Sequence, residues 1–270
     1  MTRAAAIPAV AEAGNDVTPE SSNLKAQLVK LGLHSMAVQF EAEADRAAKS
    51  ESTYSAYLAR LVEAELADKT DRSVNARTAR ARFPMLRTLE EFDFAFQPGL
   101  AAPRLRELAN LGFIDQAANV LMVGGPGVGK THLAIALGLR ACQARRSVLF
   151  AAAPQLLDQL VAADVSHTLG KLLDLLGRLD LLVIDELGYL PMDARRANLF
   201  FQLVALKYTK SSLLVTSNVA FDGWGRLFGD EVIASAILDR LLHVSHVFAI
   251  NGPSYRLKDK LSPPAAGAEH

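Results

Sequence analysis

Residues 119–132 read NVLMVGGPGVGKTH, and their order of residue types indicates the fold of the chain. The pattern G-x-x-x-x-G-K-[ST], which is typical of phosphate-binding loops, runs from Gly124 to Thr131. Four apolar residues, Val120–Val123, precede it as a candidate strand, and the helical segment HLAIALGLRACQA follows. A strand, a glycine-rich loop and a helix in this order predict a P-loop. A glycine-rich turn that binds no ligand is the alternative.

The residue types in this loop fit the binding of a nucleoside triphosphate. Glycines allow positive φ, so that the backbone N–H groups can point inward at the phosphates, and the start of a helix adds partial positive charge. Lys130 is expected to reach the β- and γ-phosphates, and the Thr131 hydroxyl to ligate Mg²⁺. The residues predicted to bind ATP are Gly124, Gly125, Pro126, Gly127, Val128, Gly129, Lys130, Thr131 and His132.

Two acids end a second apolar run, LLVIDE at 181–186. Carboxylates at the carboxyl end of a parallel strand lie at the edge of the sheet where ligands bind. We therefore expect Asp185 to complete the Mg²⁺ shell and Glu186 to orient and deprotonate the attacking water. Adjacent acids are common at strand ends, so this pair alone is weak evidence for a metal site. The P-loop earlier in the chain makes the prediction strong.

A third apolar run, LLVTSN at 213–218, ends in polar residues. If this strand lies beside the strands that lead to Lys130 and Asp185, Asn218 can contact the γ-phosphate or the water. Such a residue resembles the first sensor of AAA+ proteins. The alternative is a simple turn at a strand end, where Asn is frequent.

Composition excludes several classes of protein. Half of the 270 residues are hydrophobic, which fits one large α/β domain with a smaller accessory region. Lys plus Arg equals Asp plus Glu at 29 each, so net charge indicates no partner. A single cysteine, Cys142, excludes an internal disulfide and a multi-cysteine zinc site. No apolar stretch reaches the roughly 18 residues of a membrane span, and we expect a soluble, cytoplasmic protein without a membrane partner.

Strands and helices alternate over the larger part of the chain. The candidate strands are Val120–Val123, Val148–Ala151, Leu181–Ile184, Leu213–Thr216 and Val247–Ile250. This alternation predicts an α/β fold, with a mostly parallel sheet covered by helices on both faces. Helical spacing from Ser22 to about Ala67, with a break at Gly32, predicts a small helical domain before it. We expect tails at 1–20 and 259–270, the helical domain with a basic connector at 21–82, and the ATP-binding domain at 83–258.

A basic stretch, RSVNARTARARFPMLR at 72–87, contains five arginines and no acid. It is either a solvated connector or a surface for phosphate backbones, since guanidinium groups pair well with phosphate oxygens. The candidates for contact with a phosphate backbone in this stretch are Arg72, Arg77, Arg80 and Arg82.

The chain resembles the IstB-like ATP-binding helpers of bacterial transposases, AAA+ proteins related to replicative helicase loaders. The resemblance spans about residues 24–257 and is carried by GGPGVGKTHLAIALG, LLVIDELGYLP and LLVTSN. The more specific segments are FPMLRTLEEFDFAFQPGL at 83–100 and AILDRLLHVSHVFAINGPSYR at 236–256. Phe92, Phe96 and Gln97 of the first segment are candidates either for an adenine pocket or for the core.

The resemblance implies further roles. Arg240 looks like an arginine finger that reaches the ATP of a neighbouring subunit, and Arg256 looks like a second sensor on the γ-phosphate of its own chain. An oligomer with ATP sites at its interfaces follows from such a finger. The implied function is an ATPase that binds duplex DNA and assists a transposase. The basic stretch is more dilute than in the family. Residues 162–168, a region that faces nucleic acid in relatives, also lack the lysines and arginines often found there, and Lys171 is the nearest cation and a further candidate for contact with duplex DNA. Both departures weaken the expectation of strong DNA binding.

Three other functions stay open at this point. A helicase loader would keep the ATPase and change the client. A metabolite kinase would use the P-loop for phosphoryl transfer, but the TSN strand and the two C-terminal arginines argue against it. A module that binds ATP only for its structure would not need Glu186 as a base.

Overall fold

The computed structural model describes residues 19–189 and 191–257. The predicted tails, 1–20 and 259–270, lie outside the described residues apart from 19 and 20, which begin the first helix. The chain divides into two compact units, one ending at Arg72 and one beginning at Ser73. The division that we predicted at 82/83 stays a prediction.

Among the described residues, three helices cover the first unit and the first residues of the second. They are α1 (Pro19–Lys30), α2 (His34–Lys49) and α3 (Tyr54–Ala81). Gly32, at φ +71°, forms the break between α1 and α2, a backbone conformation that favours glycine. Within this unit the buried Glu65 carboxylate accepts a 3.0 Å hydrogen bond from the backbone N–H of Met36 and pairs with Arg72 at 3.3 Å.

The second unit contains a five-stranded, fully parallel sheet. Its strands are β1 (Asn119–Gly124), β2 (Val148–Ala152), β3 (Leu181–Leu187), β4 (Ser212–Ser217) and β5 (Ser245–Ile250), in the spatial order β2-β3-β4-β1-β5. The remaining helices are α4 (Ala102–Leu108), α5 (Gly112–Asp115), α6 (Lys130–Gln143), α7 (Ala153–Val165), α8 (Leu169–Gly177), α9 (Ala194–Lys207), α10 (Trp224–Phe228) and α11 (Glu231–Leu242). All five predicted strands are present, and β4 lies between β1 and β3.

Side chains alternate between two hydrophobic layers along each strand. In β1, Val120 and Met122 pack into the layer that contains α6, whereas Leu121 packs into the layer that contains α7, α9 and α11. In β3, Val183 and Ile184 divide in the same way. A strand covered on both faces has no polar side, which is why these segments read as continuous apolar runs. The prediction of helices on both faces is confirmed.

Two details differ from the sequence-based expectations. The acids Asp185 and Glu186 do not terminate β3, because the strand continues through a bulge to Leu187. The basic stretch is also partly helical, since α3 extends to Ala81. No helix among the described residues is long and apolar enough to cross a membrane.

Candidate nucleotide-binding site

The P-loop joins β1 to α6, and α6 begins at Lys130. Gly129 precedes the helix at φ +99°, a conformation that side chains rarely adopt. The Lys130 ammonium group donates 2.7 Å hydrogen bonds to the carbonyl groups of Gly124 and Gly125, so it lies over the loop. Burial lowers its pKa below the usual value, Asp185 opposes that shift, and the positive charge of Arg256 adds to it.

Three side chains from three elements meet beside the loop. The Thr131 hydroxyl lies 3.0 and 2.9 Å from the two carboxylate oxygens of Asp185. The Thr216 hydroxyl donates a 2.5 Å hydrogen bond to Asp185 Oδ1. Asp185 and Thr216 are almost fully buried. A carboxylate and a hydroxyl in contact offer the hard oxygen donors that Mg²⁺ prefers, so the residues present fit this ion.

Glu186 owes its position to the bulge in β3. The register between β3 and β4 shifts between Ile184 and Leu187, and Glu186 takes the left-handed conformation at φ +60°. Its backbone N–H donates a 3.0 Å hydrogen bond to the Thr216 hydroxyl, and the residue is exposed. Bulges re-aim side chains next to active sites, and such strained backbone is concentrated at functional positions. The bulge thus places two consecutive acids in different environments, one buried and one exposed.

The segment after β5, residues 251–257, lies against the P-loop, and we call it the strap. The backbone N–H of Tyr255 donates a 2.9 Å hydrogen bond to the carbonyl of Gly127. Arg256 follows directly and is close enough to Lys130 to influence its pKa. The strap therefore brings Arg256 to the same site as the P-loop lysine.

The segment 83–100 also contacts the P-loop. A Cβ on Gly129 would lie 2.5 Å from the ring of Phe92, so glycine is required here for packing as well as for its φ. The His132 ring nitrogen Nε2 lies 2.8 Å from the carbonyl oxygen of Thr88, and its ring meets that of Phe92 edge-on. Phe92 packs against the hydrophobic layer around α6. Both of the more specific sequence segments thus border the same loop.

The structure brings some of the predicted residues together and leaves others apart. Lys130, Thr131, Asp185, Glu186 and Arg256 surround the P-loop. Asn218 directly follows β4, the strand between β1 and β3, and is exposed.

Arg240 belongs to a different environment, at the C-terminal end of α11. Its guanidinium group donates a 2.8 Å hydrogen bond to the carbonyl of Ala236 and lies 4.8 Å from the centre of the Phe201 ring. These contacts hold the Arg240 side chain against residues of the same protomer.

The candidates for DNA contact also differ among themselves. Arg72 forms ion pairs with Glu65 and Asp68, both within the first unit. Arg77 is half-buried, and its Nε atom is enclosed without a hydrogen-bond partner among the described residues. The other three candidates, Arg80, Arg82 and Lys171, are exposed.

Sequence reasoning missed Thr216, which links Asp185 to the backbone of Glu186. A signal existed, because Thr216 stands two residues after Leu214 and so faces the same layer, as Asp185 does after Val183. A hydroxyl buried at the end of an apolar strand needs a hydrogen-bond partner, and Asp185 supplies it.

Comparisons with known proteins show which family the chain resembles. A family model described as IstB-like ATP binding protein matches residues 26–263. The IS21 putative ATP-binding protein of Pseudomonas aeruginosa is 44% identical over 237 residues, covering 88% of this chain and 89% of the relative. The IS5376 putative ATP-binding protein of Geobacillus stearothermophilus is 41% identical over 231 residues, covering 86% and 92%.

Solved structures of low sequence identity share the fold. DnaI has a TM-score of 0.51 at 20% identity and is similar over 61% of this chain and 90% of its own. AMPPCP-bound DnaA from Aquifex aeolicus has a TM-score of 0.52 at 21% identity, over 66% and 54%. The chain thus has the P-loop fold of the AAA+ class.

Proposed function

This chain belongs to the family of IstB-like ATP-binding proteins, and we propose that it is an ATPase that acts on DNA to assist a transposase. The curated relatives are named as ATP-binding proteins of insertion sequences. The proposed activity comprises ATP hydrolysis, binding of DNA, self-assembly and service to a transposase in the bacterial cytoplasm. The identities of 44% and 41% to insertion-sequence proteins favour a transposase over a helicase as the client.

The proposal of ATP hydrolysis rests on the different environments of the two acids, Asp185 and Glu186. Asp185 is buried against two hydroxyls, whereas Glu186 is exposed on a bulge one residue later. A protein that only binds ATP has no need for the strained backbone that turns Glu186 outward. This difference supports distinct roles, with Asp185 holding a metal and Glu186 acting as general base.

The residues of the loop act first by binding the triphosphate. Lys130 exchanges the carbonyl groups of Gly124 and Gly125 for phosphate oxygens, and the start of α6 adds positive potential. Thr131 and Asp185 would hold Mg²⁺, which when bound supplies charge neutralisation on the β- and γ-phosphates. Arg256 reaches the γ-phosphate from the strap and thereby distinguishes ATP from ADP.

Hydrolysis then depends on residues around the γ-phosphate. Glu186 accepts a proton from the attacking water, and Asn218 orients that water from the end of β4. Arg240 leaves its contacts with Ala236 and Phe201 and inserts into the ATP site of a neighbouring subunit, where it stabilises the charge that develops. The active form is therefore an oligomer with shared sites, which makes hydrolysis depend on assembly.

DNA contact is assigned to the exposed cations Arg80, Arg82 and Lys171, with Arg72 and Arg77 as further candidates. Because assembly multiplies these contacts along one duplex, ATP should raise the affinity for DNA. A gel shift at moderate salt, with and without a slowly hydrolysed ATP analogue, tests this. We expect the protein to retard duplex DNA only when the ATP analogue is present. Equal mobility of the DNA in both conditions would contradict the proposal. Co-purification with a hexameric helicase and not with a transposase would favour the loader function.

A further inference from the structure

The strap is attached to the rest of the molecule at a point before it reaches the P-loop. Gln97 Nε2 donates a 2.9 Å hydrogen bond to the carbonyl of Pro253, across a sequence separation of 156 residues. Two residues later Tyr255 binds Gly127 through its backbone, and Arg256 follows. The strap is thus held first by Gln97 and then by the loop itself.

Local hydrogen bonds hold the backbone of the segment that carries Gln97. Asp93 caps the short 3₁₀-helix Phe94–Phe96 by accepting a 3.1 Å hydrogen bond from the backbone N–H of Phe96. The Gln97 N–H donates to the Phe94 carbonyl, and its own carbonyl accepts from Leu100. The neighbouring ring of Phe96 meets the Tyr255 ring edge-on at 5.1 Å.

The environment of the Gln97 amide is unusual for a side chain that only fills space. The residue is 3% exposed, and its Oε1 atom is buried without a hydrogen-bond partner in the part of the chain that the structure describes. That atom faces Gly252 so closely that a Cβ at Gly252 would lie 2.0 Å from it. An apolar side chain at position 97 would not bury an unpaired oxygen atom, but it could not donate a hydrogen bond to the carbonyl of Pro253. The amide does so. The arrangement fixes both the orientation of Gln97 and the path of the strap.

We infer that Gln97 is a positioning residue that holds the strap so that Arg256 faces the γ-phosphate of bound ATP. The inference rests on the proposed role of Arg256 in the ATPase. Gln97 acts through the Pro253 carbonyl and does not itself touch the nucleotide. When this hydrogen bond is lost, the strap keeps its backbone contact with Gly127, but the direction of Arg256 is no longer fixed. The preference for ATP over ADP should therefore fall.

The test measures the ratio of ATP to ADP affinity with fluorescent nucleotides in the presence of Mg²⁺. Gln97→Met removes the donor at similar volume, and Arg256→Ala removes the contact itself. We expect Gln97→Met to lower the ratio about three- to tenfold, the value of one neutral hydrogen bond, and Arg256→Ala to lower it at least as much, because its contact is between charged groups. In the Arg256→Ala background, Gln97→Met should have no further effect, because both variants remove the same interaction. Gln39→Met is the matched control, since it removes a 2.9 Å amide hydrogen bond to Ser35 in the first unit.

A second variant provides the same test if Gln97→Met does not fold. Gly252→Ala introduces a methyl group against Gln97 Oε1 and should lower the ratio in the same way, with melting curves recorded for every variant. An unchanged ratio in Gln97→Met, or an equal further loss in the Arg256→Ala background, overturns the inference. ATP turnover is measured in parallel on the unaltered chain. If turnover is absent while the ratio responds as expected, the proposed hydrolysis fails and the positioning role stands.

Discussion

The Thr216 hydroxyl donates a 2.5 Å hydrogen bond to Asp185 Oδ1 and accepts one of 3.0 Å from the backbone N–H of Glu186. One side chain therefore connects the carboxylate assigned to the metal with the residue assigned to the water. Because Thr216 lies in β4, between the strands that carry the P-loop and the acids, the central strand fixes the relative position of both groups.

Thr216→Val keeps the shape of the side chain and removes both hydrogen bonds. We expect ATP turnover to fall about tenfold or more, because a hydrogen bond to a charged group contributes ~1.5–3 kcal/mol. More Mg²⁺ should also be needed for half-maximal turnover, since Asp185 loses a contact that orients it. The measurement is steady-state turnover across a Mg²⁺ titration. Thr168→Val, at an exposed threonine, is the control, and equal behaviour of the two variants would contradict the role of Thr216.

Arg240 offers a test of shared sites. Arg240→Ala should bind ATP normally but not hydrolyse it, and Glu186→Gln should do the same for a different reason. If Arg240 acts on a neighbouring subunit, a mixture of the two variants contains interfaces in which an intact Glu186 meets an intact Arg240. We therefore expect the mixture to recover part of the turnover that each variant lacks alone. No recovery at any mixing ratio would contradict a finger that acts between subunits.

Lys207 is a buried cation outside the nucleotide site. It is 1% exposed, and its ammonium group donates to the carbonyl of Leu179 at 2.6 Å. Burial lowers the pKa of Lys207 from 10.5 to about 8, and the charge of Asp180 opposes the shift. Between those two values the unfolded chain retains a proton that the folded chain releases. The contribution of Lys207 to the free energy of unfolding should therefore increase with pH across this window.

Lys207→Met removes this dependence. We expect the free energy of unfolding of the unaltered chain, relative to the variant, to increase from pH 8 to pH 10 by at most roughly 3 kcal/mol. Urea unfolding at several pH values measures it. Lys210→Met serves as the control because Lys210 is exposed and lies in the same region of the chain. Parallel pH profiles for the unaltered chain and Lys207→Met would show that the buried ammonium group is not the cause.

Local patterns in the sequence were sufficient to place the five strands and the loop between β1 and α6. Apolar runs marked the five strands, and the glycine spacing marked the loop that precedes Lys130. The conformation of Glu186 could not be read in this way, because the bulge depends on the register between β3 and β4. The contact of Gln97 with Pro253 is likewise tertiary, across 156 residues. What the sequence left open is therefore how distant segments converge on the P-loop.

We propose that the site hydrolyses ATP through Glu186 in an assembly controlled by DNA. ATP turnover with and without duplex DNA, for the unaltered chain and for Glu186→Gln, tests it most directly. We predict slow turnover that DNA raises, and in the variant no turnover but retained ATP binding and larger assemblies. Turnover that is indifferent to DNA, together with a variant that fails to assemble, would contradict the account.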